Sequence, residues 1–252
     1  MNKRIFVNVL ALCCIINTTV YAQSYKKTEY GIKATINSVN IEIQFFNEST
    51  VRILKAPAGN IFDKKSLSVV AIPQKVNLSV KQTGNILLLK SRNVQVFVNL
   101  KNGKVSFQNS KGKLLLTEKE NSTVFIPFND AGVNTFSASQ SFVLDRDEAI
   151  YGLGQQQQGK MIQRNIKLHM IQGNTDDYIP FFLSVKGYGL FWDNYSPTTF
   201  IDNQEETSFD SEVGDCIDYY FMCGANADGV ISQMRNLTGQ VPMFPLWTFG
   251  YW

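Results

Sequence analysis

The sequence has 252 residues, 44% of them hydrophobic and 18% charged, a composition that suits a folded globular chain with a sizeable core. Its 24 basic and 21 acidic residues leave a net charge of only +3, so a basic face for nucleic acid is not expected. One histidine and no paired-cysteine spacing argue against a metal site, and no cofactor is expected.

The chain opens with Lys3 and Arg4, followed by a mostly apolar run from Val7 to Val20 and the small-x-small step Val20-Tyr21-Ala22. A membrane span needs roughly 20 apolar residues. This run is shorter, and Asn8 and Asn17 interrupt it, so residues 1–22 read as a cleaved signal peptide and no membrane span is expected. The protein is then secreted or periplasmic. Lipidation at Cys13 or Cys14 is the alternative, disfavoured by the bulky Leu12. Cleavage removes two basic residues and no acidic ones, leaving 22 against 21 and a net charge of +1.

From there the pattern is β. Ile41, Ile43 and Phe45 alternate with polar residues, as do Val94, Val96, Val98 and Leu100, then Val105 and Phe107. Lys104–Glu118 reads as a hairpin turning at Lys111-Gly112, and Pro180–Asn194 as another turning near Lys186-Gly187. Many short strands with recurrent turns predict an all-β sandwich. Asp145, Asp147 and Glu148 around Arg146 read as a solvated turn, and Glu205-Glu206 likewise. His169 falls in an alternating strand as an ordinary polar group. Cys216 and Cys223 bracket a run with no turn residue. Seven strand residues span roughly 23 Å, whereas disulfide Cα atoms lie within about 7 Å, so two separate thiols are expected. Beyond them, Val230, Ile231, Met234 and Leu237 form one helical stripe, with Asn226 or Asp228 to cap it and Gly239 to end it. LWTFGYW, at the end of the chain, reads as a buried strand whose partners lie outside the sequence.

The stretch YGLGQQQQG (Tyr151–Gly159) fails as a dinucleotide loop. Gln157 stands where a third glycine belongs, and no helical stripe follows. Four glutamines are also too few for a low-complexity tract.

Taken together, YGLGQQQQG, IPFFLSVKGYGLFWDNYSPTTF (Ile179–Phe200) and GQVPMFPLWTFGYW (Gly239–Trp252) resemble the N-terminal portion of family 31 glycoside hydrolases, which are retaining α-glucosidases, α-xylosidases and relatives. The glutamine-rich first motif and Gln172-Gly173-Asn174 are more similar to the α-xylosidase-like branch. The resemblance implies a galactose-mutarotase-like β-sandwich over residues 23–240, followed by one helix and, in residues 241–252, the first strand of a missing (β/α)8 catalytic barrel. The sandwich would pack on that barrel. A retaining glycosidase holds two carboxyl groups about 5–5.5 Å apart. In the family both are aspartates downstream of the Trp-rich segment, so no catalytic residue is expected here and the piece alone should be inactive. The resemblance further implies a substrate loop over the barrel mouth, matched by position to HMIQGNTDDYIP. Gln172, Asn174, Asp176 and Asp177 would hydrogen-bond sugar hydroxyls of an oligosaccharide substrate and Tyr178 would stack on a sugar face. A plain solvent-exposed turn is the competing reading. Trp192, Asp193, Trp247 and Trp252 lean towards packing and turn roles. Two other functions compete: a non-catalytic carbohydrate-binding sandwich, and a sugar epimerase, the latter weak with a single histidine.

Overall fold

The computed structural model describes residues 25–59 and 64–250. The expected signal peptide, Cys13, Cys14 and Trp252 lie outside the described residues.

Two antiparallel sheets face each other. The first has eight strands, in the spatial order Tyr25–Lys27, Gly31–Ile36, Val39–Phe45, Thr50–Pro57, Ile217–Cys223, Tyr188–Trp192, Phe181–Ser184 and Ile150–Gly152. The second has ten. Its path runs Ile166–Met170, Thr198–Asp202, Thr207–Ser211, Val133–Val143, Leu114–Glu118, Val105–Asn109, Val94–Asn99, Ile86–Lys90 and Ser79–Thr83, with Val124–Asp130 paired only to Val133–Val143.

The alternation read from the sequence is the alternation that packs. Ile32, Ile41, Ile43 and Phe45 from one sheet and Val94, Val96, Val98, Val105 and Phe107 from the other are buried in one core. Stacked rings tie the sheets together, with Phe107 and Phe221 centroids 4.1 Å apart and Trp192 and Phe209 5.3 Å apart. Both expected hairpins form, Val105–Asn109 with Leu114–Glu118 and Phe181–Ser184 with Tyr188–Trp192. Cys216 and Cys223 are free thiols, the first directly before the strand Ile217–Cys223 and the second at its end.

A second, smaller apolar cluster lies around Phe46, Phe181, Phe191, Tyr220 and Met222. Helix α1 (Ala227–Thr238) covers it with Val230 and Leu237. The Asn226 side chain accepts from the Gly229 amide, and Gly239 closes the helix at φ 92°. Of the expected stripe, Ile231 turns outward. Gly189 lets the helix approach, since a Cβ there would lie 2.6 Å from Val230 Cγ1. A strap over residues 64–78, unforeseen in the sequence, crosses beside the helix. It packs Val69 and Ala71 on the cluster, and the amides of Val70 and Ala71 donate to the Leu237 carbonyl.

Two expectations fail. LWTFGYW is not a strand over its described part, because Leu246–Phe249 is a 3-10 turn with no buried residue, and Trp247, expected to fill a core, is 68% exposed. A strand requires a neighbour for its amides and carbonyls; the neighbours expected for this one lie outside the sequence, and among the described residues it pairs with neither sheet. Glu148 is not solvated either. It is buried, Oε1 accepts from Ser184 Oγ (2.5 Å) and the Tyr188 hydroxyl (2.6 Å), and Oε2 lies 2.8 Å from Lys186 Nζ. Its cation comes from the distant hairpin turn rather than from neighbouring Arg146.

Candidate functional site

The glutamine motif and the expected substrate loop are two halves of one structure. After Gly152 the backbone turns through left-handed Leu153 (φ 65°) and Gly154 (φ 89°). A Cβ at Gly154 would fall 1.9 Å from the Asp177 carbonyl oxygen, so glycine is required for the loop to lie this close. Gln155 and Asp177 then exchange backbone hydrogen bonds, 2.8 Å from Gln155 N to Asp177 O and 3.0 Å from Asp177 N to Gln155 O. Asp176 Oδ1 accepts from the Gln157 amide at 3.2 Å. Gln156 Nε2 donates to the Leu153 carbonyl at 3.0 Å.

The four expected sugar-contacting residues fall into different roles. The Gln172 carboxamide is used at both ends, Oε1 accepting from Tyr178 N (2.8 Å) and Nε2 donating to Tyr178 O (2.7 Å). It clamps the loop shut across six residues. Asp176 commits one carboxylate oxygen to Gln157. Asn174 and Asp177 are exposed, and their side chains make no hydrogen bond among the described residues. Tyr178 is half-buried against the main core, and burial, with Asp176 beside it, pushes its hydroxyl above the usual value.

Behind the loop is an open cleft of about 570 Å³, lined by Gln172, Tyr178, Ile171, Ile179, Pro180, Trp192, Asp193, Tyr195 and, from α1, Met234 and Thr238. Trp192 is fully buried, with Nε1 donating to Ser211 Oγ at 2.9 Å, which fits its expected packing role. Asp193 is buried rather than set in a turn. Neither carboxylate oxygen accepts a hydrogen bond among the described residues, and Lys64 Nζ lies 3.4 Å from Oδ2. Lys64 also lies 3.2 Å from Asp218, which Arg52 grips through two bonds of 2.8 and 2.6 Å. Burial opposes the Lys64 charge, but Asp218 and Asp193 outweigh it and hold its pKa above the ordinary lysine value. Sequence reasoning missed this cluster because its pairs are far apart in the chain, Arg52 and Asp218 by 166 residues and Lys64 and Asp193 by 129.

Among the described residues no group of three or more His, Cys, Asp or Glu side chains could hold a metal ion, and no helix is long and apolar enough to cross a membrane. His169 is half-exposed, with Nδ1 3.2 Å from Thr199 Oγ1 and Nε2 3.9 Å from Glu212 Oε1.

A two-sheet antiparallel sandwich with one covering helix, sending a braced polar loop from its edge, defines a galactose-mutarotase-like domain. Residues 40–200 match the glycosyl hydrolase 31 N-terminal galactose mutarotase-like domain, and the chain belongs to that family. It is 33% identical over 227 residues to an alpha-xylosidase of Saccharolobus solfataricus, covering 86% of this chain and 30% of that protein. It is 29% identical over 247 residues to alpha-glucosidase 2 of Bacillus thermoamyloliquefaciens, covering 90% and 30%. Among solved structures, the GH31 alpha-xylosidase of Xanthomonas citri superposes with a TM-score of 0.83 at 19% identity, covering 89% of this chain and 41% of that one. The chain therefore spans about a third of the length of these relatives.

Proposed function

We propose that this chain is the N-terminal sandwich of a retaining α-glycosidase that removes terminal α-xylosyl or α-glucosyl residues from oligosaccharides outside the cytoplasm. The catalytic carboxyl groups belong to a barrel domain beyond the sandwich, and the sandwich supplies a substrate loop. The observation that carries the loop assignment is the bracing of residues 172–178. Their backbone is held by Gln155 and by the Gln172 clamp, while Asn174 and Asp177 keep free hydrogen-bonding groups. A preformed loop with unspent acceptors suits sugar hydroxyls, because little ordering entropy is left to lose on binding.

The test has two arms. Residues 23–252 alone should not cleave an aryl α-xyloside or α-glucoside above background, since two carboxyl groups about 5–5.5 Å apart are required and the proposal places them outside this chain. In a polypeptide of the relatives' length, Asp177→Ala should raise KM about tenfold, the loss of one charge-assisted hydrogen bond, with kcat little changed. Turnover by the short chain would overturn the assignment. An unchanged KM would remove the loop from it.

A further inference from the structure

A second cleft, of about 550 Å³, lies at the other end of the hairpin that carries the loop. The loop enters that hairpin at Phe181, and the Lys186-Gly187 turn at its far end forms one wall of the cleft. The Asn109–Lys113 turn forms another, and the first half of α1, through Gly229, Ser232 and Gln233, a third. Where these segments meet they pack backbone on backbone. A Cβ at Gly224 would fall 2.1 Å from Val230 N, one at Gly229 1.9 Å from Gly224 O, and one at Gly187 2.5 Å from Ala225 O. The walls are therefore held in place before any ligand arrives.

The polar groups left unspent in this cleft are mostly donors. Asn109 Oδ1 accepts from the amides of Lys111 and Lys113, both at 3.0 Å, which leaves its Nδ2 free and fixes the turn that carries both lysines. Gln233 Oε1 accepts from Asn47 Nδ2 at 2.9 Å and Thr50 Oγ1 at 3.1 Å, leaving its Nε2. Exposed Lys111, Lys113, Ser110 and Ser232 have no side-chain partner among the described residues. Asn93, whose Nδ2 donates to Ser49 Oγ at 2.8 Å, keeps one acceptor. No carboxylate lines the cleft. Of those close by in the chain, Asp145 and Glu148 pair with Lys186 at 2.7 and 2.8 Å, Glu48 Oε2 accepts from the Arg92 amide, and Asp228 is exposed outside the lining.

Two unpaired ammonium groups among neutral donors and one acceptor suit a ligand with an oxyanion and several hydroxyls. The lining has no aromatic ring on which a nucleic-acid base could stack. We infer that this cleft binds an acidic sugar, a uronate or a phosphorylated sugar, at a site separate from the loop. Lys111 and Lys113 take the oxyanion, and Asn93, Asn109, Gln233 and the two serines take the hydroxyls. The inference goes beyond the glycosidase reading and does not rest on it, since none of these residues belongs to the loop.

The experiment is calorimetric titration of the full chain with trigalacturonate, glucose 6-phosphate, neutral maltotriose and inorganic phosphate. At least one acidic sugar should bind about tenfold or more tightly than either maltotriose or inorganic phosphate, and the tighter of the two names the source of the oxyanion. Lys111→Gln combined with Lys113→Gln should weaken that binding about tenfold or more, as should raised ionic strength in the same direction. Both side chains are exposed and unpaired, so the urea midpoint should stay where it is, which separates lost binding from lost folding. Ser232→Trp, from an exposed position on α1, should fill the cleft and remove the binding heat. Inorganic phosphate binding as tightly as the acidic sugars would make this a bare anion site and overturn the inference. So would equal affinity for maltotriose, no binding of either acidic sugar, or binding untouched by the lysine pair or by Ser232→Trp. Loss of acidic-sugar binding in Asp177→Ala would place the ligand at the loop, overturning this site and leaving the loop reading standing.

Discussion

Buried charge is concentrated at a few residues, and their chemistry sets how the sandwich responds to mutation and pH. Lys55 and Glu118 are each 1% exposed, with Lys55 Nζ 2.7 Å from the carboxylate. Lys55 also donates to Thr123 and Gln140, and Glu118 accepts from the Tyr219 hydroxyl and the Val105 amide. Every polar atom of the pair has a partner, so its desolvation is offset only while both members remain. Glu118→Ala leaves an ammonium enclosed by apolar strands and should cost about 3–5 kcal/mol, read as a lower urea midpoint. Glu206→Ala, which breaks a half-exposed pair with Lys119, should barely move that midpoint. Burial, with Asp218 adding, pushes the Cys216 thiol from 9.0 up to about 12. A thiol raised on folding stabilises the fold below its unfolded pKa, and that contribution is lost as pH climbs through the folded value. Native stability should therefore fall between pH 9 and 12 with a steeper slope than in Cys216→Ala, measured by urea unfolding across that range. Equal slopes would show that the thiol carries no such linkage. None of these pairs was legible in the sequence. Lys55 is 63 residues from Glu118, and Glu148 finds Lys186 across a turn, so local charge clustering pointed to solvent where the fold supplies a partner.

Elements were legible where one periodicity ruled and dark where the backbone answered to distant atoms. Period-two runs placed Val39–Phe45 in one sheet and Val94–Asn99 and Val105–Asn109 in the other, and Asn226, Gly239 and the 230–237 stripe placed the helix, because these signals are local. The strap over 64–78 has no period, and its shape is set by carbonyls of α1 and by Tyr195. The YGLG motif was visible as a motif, but what its glycine does is visible only with Asp177 lying on it. This yields a test at the scale of the loop. Gln172→Ala removes two side-chain bonds to one backbone unit, each worth about 1 kcal/mol net. Amide exchange at Tyr178 and Asp177 should quicken by about tenfold or more while the global midpoint stays put, since the loop opens without the sheets. Gly154→Ala adds a Cβ 1.9 Å from a carbonyl and should release the same amides more strongly. If either substitution left their exchange unchanged, the loop would be held by something other than the clamp and the bridge.

At the scale of the molecule, the sandwich closes without the aromatic tail. The main core contains residues of both sheets and none beyond Cys223, and the second cluster ends at Leu237. Residues 241–249 add apolar surface to the outside: Met243 is 95% exposed and Leu246 88%. An apolar side chain left in water contributes nothing through burial, so removing it should not weaken the fold. A chain ended after Gln240 keeps the Gly239 cap on α1 and should unfold at the same urea midpoint as residues 23–252, to within about 0.5 kcal/mol. It should also bind less of an apolar fluorescent dye and sediment with less self-association, because the face that α1 leads into is gone. A drop of more than about 1 kcal/mol on truncation would mean that the tail is packed into the sandwich in solution. The segment would then be part of this domain.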